Sequence, residues 1–221
     1  TLAHAFFEAI GRGMDAEKAK LLVMEAFERI QDVPQWQLRF KLDEFSTLLD
    51  RAREWARQSE VNQELAGVEI PVGVRVSEEV RIGGYMDRLL RDGEGNYLVV
   101  DLKTGRSKPA KKEGEDHVQL MTYQLALAHG AFDGHQVHDG EGMPRQGGVL
   151  VYPGATTKKI GEIWQSDKSP EALEEFAALL PPLVEEMRGP RITARTNKDC
   201  DKCPIRSICP VQEEGRMTTD A

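Results

Sequence analysis

Tyr97-Leu98-Val99-Val100-Asp101-Leu102-Lys103-Thr104-Gly105 decides how this chain is read. An apolar run, Tyr97 to Val100, delivers an acid, and a lysine follows two residues later. In a strand, residues i and i+2 share a face, so Asp101 and Lys103 point the same way. Fourteen residues before Asp101 a second acid, Asp87, stands in Gly83-Gly84-Tyr85-Met86-Asp87-Arg88. Between them lies Asp92-Gly93-Glu94-Gly95-Asn96, made of the residues tight turns require. The two segments therefore read as a hairpin that brings both acids together. Carboxylate oxygens are hard ligands of the kind Mg²⁺ or Mn²⁺ prefers. A lysine beside them can hold a water or steady the charge that grows on a phosphate. The bland alternative is a solvated sheet face with a salt bridge.

Working outward, Gly67 to Val76 alternates, with Val68, Ile70, Val72, Val74 and Val76 two apart, and reads as a first strand. Val80 to Leu90 is the second and Tyr97 to Leu102 the third, a β-meander. Upstream, three helices are expected: residues 2–11 with Leu2, Ala5, Phe6 and Ile10, residues 15–30 with Ala19, Leu22, Val23 and Phe27, and residues 35–59 with Trp36, Leu38, Phe45, Leu48, Leu49 and Trp55. Gly11 and Gly13 end the first. Downstream comes a helix at about 116–129, with Val118, Met121, Leu125 and Ala128 on its apolar side. A glycine-rich loop, 130–148, follows. Strands at 149–152 and 160–164 and a helix at 170–187 (Leu173, Phe176, Leu179, Leu180, Val184) complete the pattern. The expectation is one domain over 1–221: a helical entry region (1–60), a core (61–188) and a cysteine-bearing tail (189–221).

The chain has 221 residues, 40% hydrophobic and 30% charged, the balance of an ordinary globular protein. No apolar run approaches the ~20 residues of a membrane span, and no leader is recognisable, so a cytoplasmic protein without a membrane partner is expected. The chain opens at Thr1 in a helical pattern, which reads as a piece of a longer protein. Net charge is −8, which argues against a simple nonspecific DNA binder. Charge is uneven, however. Lys103, Arg106, Lys108, Lys111 and Lys112 form one basic stretch, and Arg188, Arg191, Arg195, Lys198, Lys202 and Arg206 another. Each is either a phosphate contact or a solvated surface.

Other residues join the acids. Glu69 on the preceding strand can add a carboxylate or simply face solvent. Gln119 and Tyr123, four apart on one helix face, can both donate hydrogen bonds, although a helix tyrosine is more often core. His4 on the first helix is by default a satisfied core histidine. Taken together, His4, Gly84-x-x-Asp87-Arg88, Asp101-Leu102-Lys103-Thr104-Gly105 and Gln119-Leu120-Met121-Thr122-Tyr123 resemble, in this order, the motifs of the RecB-type branch of the PD-(D/E)XK nuclease superfamily. Met86 stands where the superfamily's name has proline.

That resemblance implies an α/β fold, a central mixed β-sheet flanked by helices in a restriction-endonuclease-like nuclease core, after an N-terminal helical region. It implies a deoxyribonuclease using Mg²⁺ or Mn²⁺, with Asp87, Asp101 and His4 as metal ligands. Lys103 would orient the attacking water and stabilise charge, and Gln119 and Tyr123 would support the site and the scissile strand.

Cys200, Cys203 and Cys209 are the only cysteines. Their C-x2-C-x5-C spacing, with no secretory leader, favours metal over disulfides, but three thiolates are one short of a Cys₄ site. The tail resembles that of a subset of RecB-type nucleases in which a 4Fe-4S cluster takes its fourth cysteine from upstream of the histidine. A zinc knuckle or simply reduced cysteines are the alternatives. Such domains resemble the C-terminal parts of AddB- and AdnB-like helicase–nucleases. The implied partners are DNA (a single strand or a duplex end), a helicase domain in the same polypeptide and a partner helicase–nuclease subunit, in bacterial double-strand-break repair. No Walker A motif is present in these residues. The competing readings are a catalytically inactive nuclease-like DNA-binding or scaffolding module and a metal-bearing interaction domain.

Overall fold

The computed structural model describes residues 1–108, 110–129, 144–189 and 193–216. Three helices come first: α1 (Leu2–Gly11), α2 (Ala16–Arg29) and α3 (Gln35–Ser59). Asp15 caps α2 by accepting from the Lys18 N–H at 2.9 Å, satisfying a donor the helix leaves orphaned. Then follow β1 (Glu64–Arg75), β2 (Arg81–Arg91), β3 (Tyr97–Leu102), α4 (Val118–Ala128), β4 (Arg145–Tyr152), β5 (Gly161–Gln165), α5 (Pro170–Arg188) and the short α6 (Glu213–Arg216). Two compact units are present, Thr1–Ala178 and the residues from Leu179 onward.

The sheet belongs to the first unit, in the order β1-β2-β3-β4-β5. The β1/β2, β2/β3 and β4/β5 pairs are antiparallel, and β3/β4 is parallel, so the sheet is mixed. Because β3 and β4 run the same way, the chain between them must cross over, and α4 lies on that crossover. The sheet is apolar on both faces. Phe6, Phe7, Phe45, Leu49, Leu90, Val100, Leu102 and Val151 form the layer under α1–α3. Met86, Leu89, Val99, Leu120, Leu150 and Ile163 form the layer under α4. Each such side chain, fully buried, contributes about 2 kcal/mol.

The two layers swap partners part-way along the first hairpin. Val68 and Arg88 face α1: a side chain on Gly11 would run into Val68, and Arg88 donates to the Phe7 carbonyl at 3.4 Å. Ile70 and Met86, two residues further along each strand, lie instead in the α4 layer. Alternation with period two forbids this in a regular strand. The switch occurs at Glu69, which has φ of 47°, the left-handed region that non-glycine residues rarely adopt. Opposite Glu69, between the Val68↔Arg88 and Ile70↔Met86 pairs, stands Asp87.

Several helix faces differ from their periodicity. Trp36 is 74% exposed, and Leu22, Leu179 and Val118 are also exposed. Phe7 and Ala3, rather than Ala5, pack under α1. On α4 the buried side is Leu120, Tyr123, Gln124, Leu125, Ala126 and Leu127. The part of the glycine-rich loop at 130–143 lies outside the described residues, as does Arg191, and Arg145–Gly148 belong to β4.

Candidate active site

The C-terminal end of β3 carries the site. Asp101 is 3% exposed. Its Oδ1 accepts from Gln119 Nε2 at 2.7 Å and lies 3.4 Å from the Tyr123 hydroxyl. Lys103 Nζ stands 2.8 Å from Asp101 Oδ2 and donates to Gln119 Oε1 at 2.5 Å. The ammonium pairs with Oδ2 by charge but is out of line for a hydrogen bond, so this enclosed oxygen receives none. Gln119 thus holds acid and lysine at once, and also donates to the Tyr123 hydroxyl at 2.9 Å. Tyr123 in turn donates to the Tyr85 carbonyl at 2.8 Å. Burial, then the charge of Asp101, pushes the Tyr123 hydroxyl well above its usual range, so it stays a donor.

Asp87 reaches the same strand end from β2. Its Oδ2 accepts the Leu102 N–H at 2.7 Å. Burial, then the Asp101 charge, raises its pKa from 3.8 to about 6. Its neighbour Arg88 serves the core: 1% exposed, it pairs with Glu60 at 2.6 Å and lies over the Phe7 ring.

His4 comes from the other layer. Its Nε2 lies 3.0 Å from the Leu102 carbonyl and 3.5 Å from Asp87 Oδ2, and its Nδ1 contacts the Thr1 hydroxyl. Burial lowers its pKa, which keeps it neutral. Glu69 stands near enough to Asp87 and Glu8 for their charges to add to the burial that raises its pKa.

The structure therefore brings His4, Asp87, Asp101, Lys103, Gln119 and Tyr123 to one strand end. Sequence reasoning passed over His117 and Tyr152. His117 stands at the N-cap position of α4, two residues before Gln119, without a side-chain capping bond and with its Nδ1 enclosed and unpartnered. Burial, then Lys103, lowers its pKa. Tyr152 ends β4, and burial, then Asp101, raises its pKa. The available signal was position alone: the helix start before Gln119, and the end of the strand beside Asp101.

Two features fit a divalent ion. The Asp101 charge adds to the cost of ionising Asp87, which a cation relieves, and Asp101 Oδ2 is an enclosed acceptor that receives no hydrogen bond. Yet among the described residues no three His, Cys, Asp or Glu side chains gather closely enough to hold a metal. His4 is turned to the Leu102 carbonyl.

Residues 1–210 match the family model of the PD-(D/E)XK nuclease superfamily. The chain belongs to that superfamily. Membership supports a nuclease, an enzyme that hydrolyses phosphodiester bonds. No curated protein matches it. A solved structure titled "Crystal structure of SSO0001" aligns over 80% of this chain and 73% of its own, at 20% identity and a TM-score of 0.41. No helix among the described residues is long and apolar enough to cross a membrane.

Proposed function

We propose that this domain hydrolyses phosphodiester bonds of single-stranded DNA with Mg²⁺ or Mn²⁺ held by Asp87 and Asp101. The observation that carries this reading is the Asp101–Lys103–Gln119–Tyr123 network, in which three polar side chains hold one buried carboxylate in place. A purely structural role would not repay that cost, since a buried charge is stabilising only when fully paired. A divalent ion bound there would lower the pKa of a water and offset phosphate charge.

The chain's own groups do the rest. Lys103 sets a cation beside the carboxylate, where it can orient a water and stabilise charge developing on phosphate oxygens. Gln119 fixes the Lys103 ammonium and the Asp101 carboxylate relative to each other. Tyr123 ties this pair to the backbone of β2. His4, freed from the Leu102 carbonyl, would serve as a further ligand from α1.

We place the domain in the RecB-type branch, as the nuclease module of a bacterial helicase–nuclease acting as an exonuclease in double-strand-break repair. DNA and a helicase domain would be its partners. Cys200, Cys203 and Cys209 would supply three ligands of a 4Fe-4S cluster, with a fourth thiolate from outside this sequence. Their spacing supports this, as does a run of i→i+3 turns linking Cys200 to Cys203, Cys203 to Arg206 and Arg206 to Cys209. About four irons per full-length chain, lost in Cys203→Ser, would support the cluster; one zinc per chain would refute it. Cleavage of end-labelled single-stranded DNA with Mn²⁺, lost in Asp101→Ala, tests the nuclease.

A further inference from the structure

We propose that the outward face of the β1–β2 hairpin, beyond Glu69 and Asp87, is the track that seats the single DNA strand beside the site, with Tyr85 stacking on a base. The proposal rests on the nuclease reading and names where that substrate lies.

Past Glu69 the hairpin has one buried side and one open side. Ile70, Val72, Val74 and Met86 turn inward and are at most 5% exposed. The alternate residues turn the other way. Pro71, Gly73 and Arg75 on β1 pair with Tyr85, Gly83 and Arg81 on β2. Arg75, Arg81, Gly83 and Tyr85 are exposed, and Pro71 and Gly73 are half-buried.

These six residues make a platform of unusual composition. Tyr85 is 61% exposed, although its own carbonyl is tied to Tyr123. A side chain on Gly83 would meet nothing nearer than the Val72 carbonyl at 3.8 Å, so the surface there is flat and open. The Arg81 guanidinium lies across Gly73, 2.9 Å from where a Cβ would sit. The face carries two arginines, Arg75 and Arg81, in a chain whose net charge is −8.

A single strand needs an aromatic for its bases and cations for its phosphates, on a surface open enough to admit both. A folded protein segment docking here would need neither two cations nor a bare backbone. The face is also continuous with the site: two residues of strand, about 7 Å, separate Tyr85 from Asp87. A base on Tyr85 then belongs to a nucleotide adjoining the bond that Asp87 and Asp101 address.

The test is equilibrium binding of a fluorescent oligo(dT) to the full-length protein with chelator present, so that nothing is cleaved. Tyr85→Ala should weaken binding about 5- to 150-fold, the stacking of one base, while Tyr85→Phe stays near wild type. Gly83→Leu should weaken it too, by raising a side chain on the platform. An abasic oligomer should bind wild type no better than oligo(dT) binds Tyr85→Ala. Arg75→Gln should lower the slope of log K against log salt by about 0.7.

If Tyr85→Ala and Gly83→Leu bind like wild type while the wild type cleaves DNA, the track is wrong and the nuclease reading stands. Equal binding of abasic and dT oligomers by wild type would overturn stacking without recourse to any variant. Absence of both binding and cleavage in the wild type would overturn the track and the nuclease reading together.

Discussion

At the scale of single residues, the site is an argument about one carboxylate that cannot easily lose its partners and another that cannot easily ionise. Asp101 is held from three sides, and Gln119 links two of its neighbours. Gln119→Ala should therefore lower kcat about 10- to 100-fold through misplacement of Lys103 and Asp101, as loss of an orienting residue does at other metal sites. Lys103→Ala should cost more, and steady-state kinetics of the two variants checks the order. Asp87, raised to about 6, gives a pH prediction whose sign follows from linkage. Between about pH 4 and 6 the folded form keeps a proton that the unfolded form has released. Metal-free stability from this group is therefore present at acid pH and lost as pH rises through that window. Asp87→Asn should melt later than wild type at about pH 8, by about 2–3 kcal/mol, and lose the advantage near pH 4. Mn²⁺ affinity of the wild type should weaken as pH falls through about 6, because proton and metal compete for the same oxygens. Calorimetry at several pH values reads both.

At the scale of elements, the hairpin was legible because its signals agree. The Tyr97–Val100 run, the Asp92–Asn96 turn and the i, i+2 spacing of Asp101 and Lys103 all point to strands that meet where they do. The i, i+4 spacing of Gln119 and Tyr123 likewise put them on one face of α4. What could not be read was the layer switch at Glu69. Val68, Ile70, Val72 and Val74 look like one uninterrupted alternating strand, and nothing in their sequence announces a positive φ between the first two. Exposed Trp36, Leu22 and Val118 were misjudged for a related reason: periodicity marks an apolar stripe but not where the neighbouring element ends. The strain at Glu69 yields a prediction. Glu69→Gly should leave the fold as stable or more so, by about 1 kcal/mol, whereas Glu69→Val should destabilise it by more than that. Thermal melts of the two variants in chelator decide it, and a stable Glu69→Val would refute the assigned backbone.

At the scale of the whole molecule, the sequence matches the superfamily from residue 1 to 210, and the mixed sheet exists to bring β2, β3, α1 and α4 to one strand end. A ligand that binds only there stabilises everything that holds the site together. Mn²⁺ at 100 times its Kd should add about 2.7 kcal/mol to unfolding free energy, and Asp101→Ala should abolish the gain. A thermal shift that survives in Asp101→Ala would place the ion elsewhere. The most direct test of the central claim is cleavage of end-labelled single-stranded DNA with Mn²⁺ by the wild-type chain and by Asp101→Ala, each first shown to be folded. The account predicts cleavage by the wild type and none by the variant. Undiminished cleavage by Asp101→Ala would contradict it.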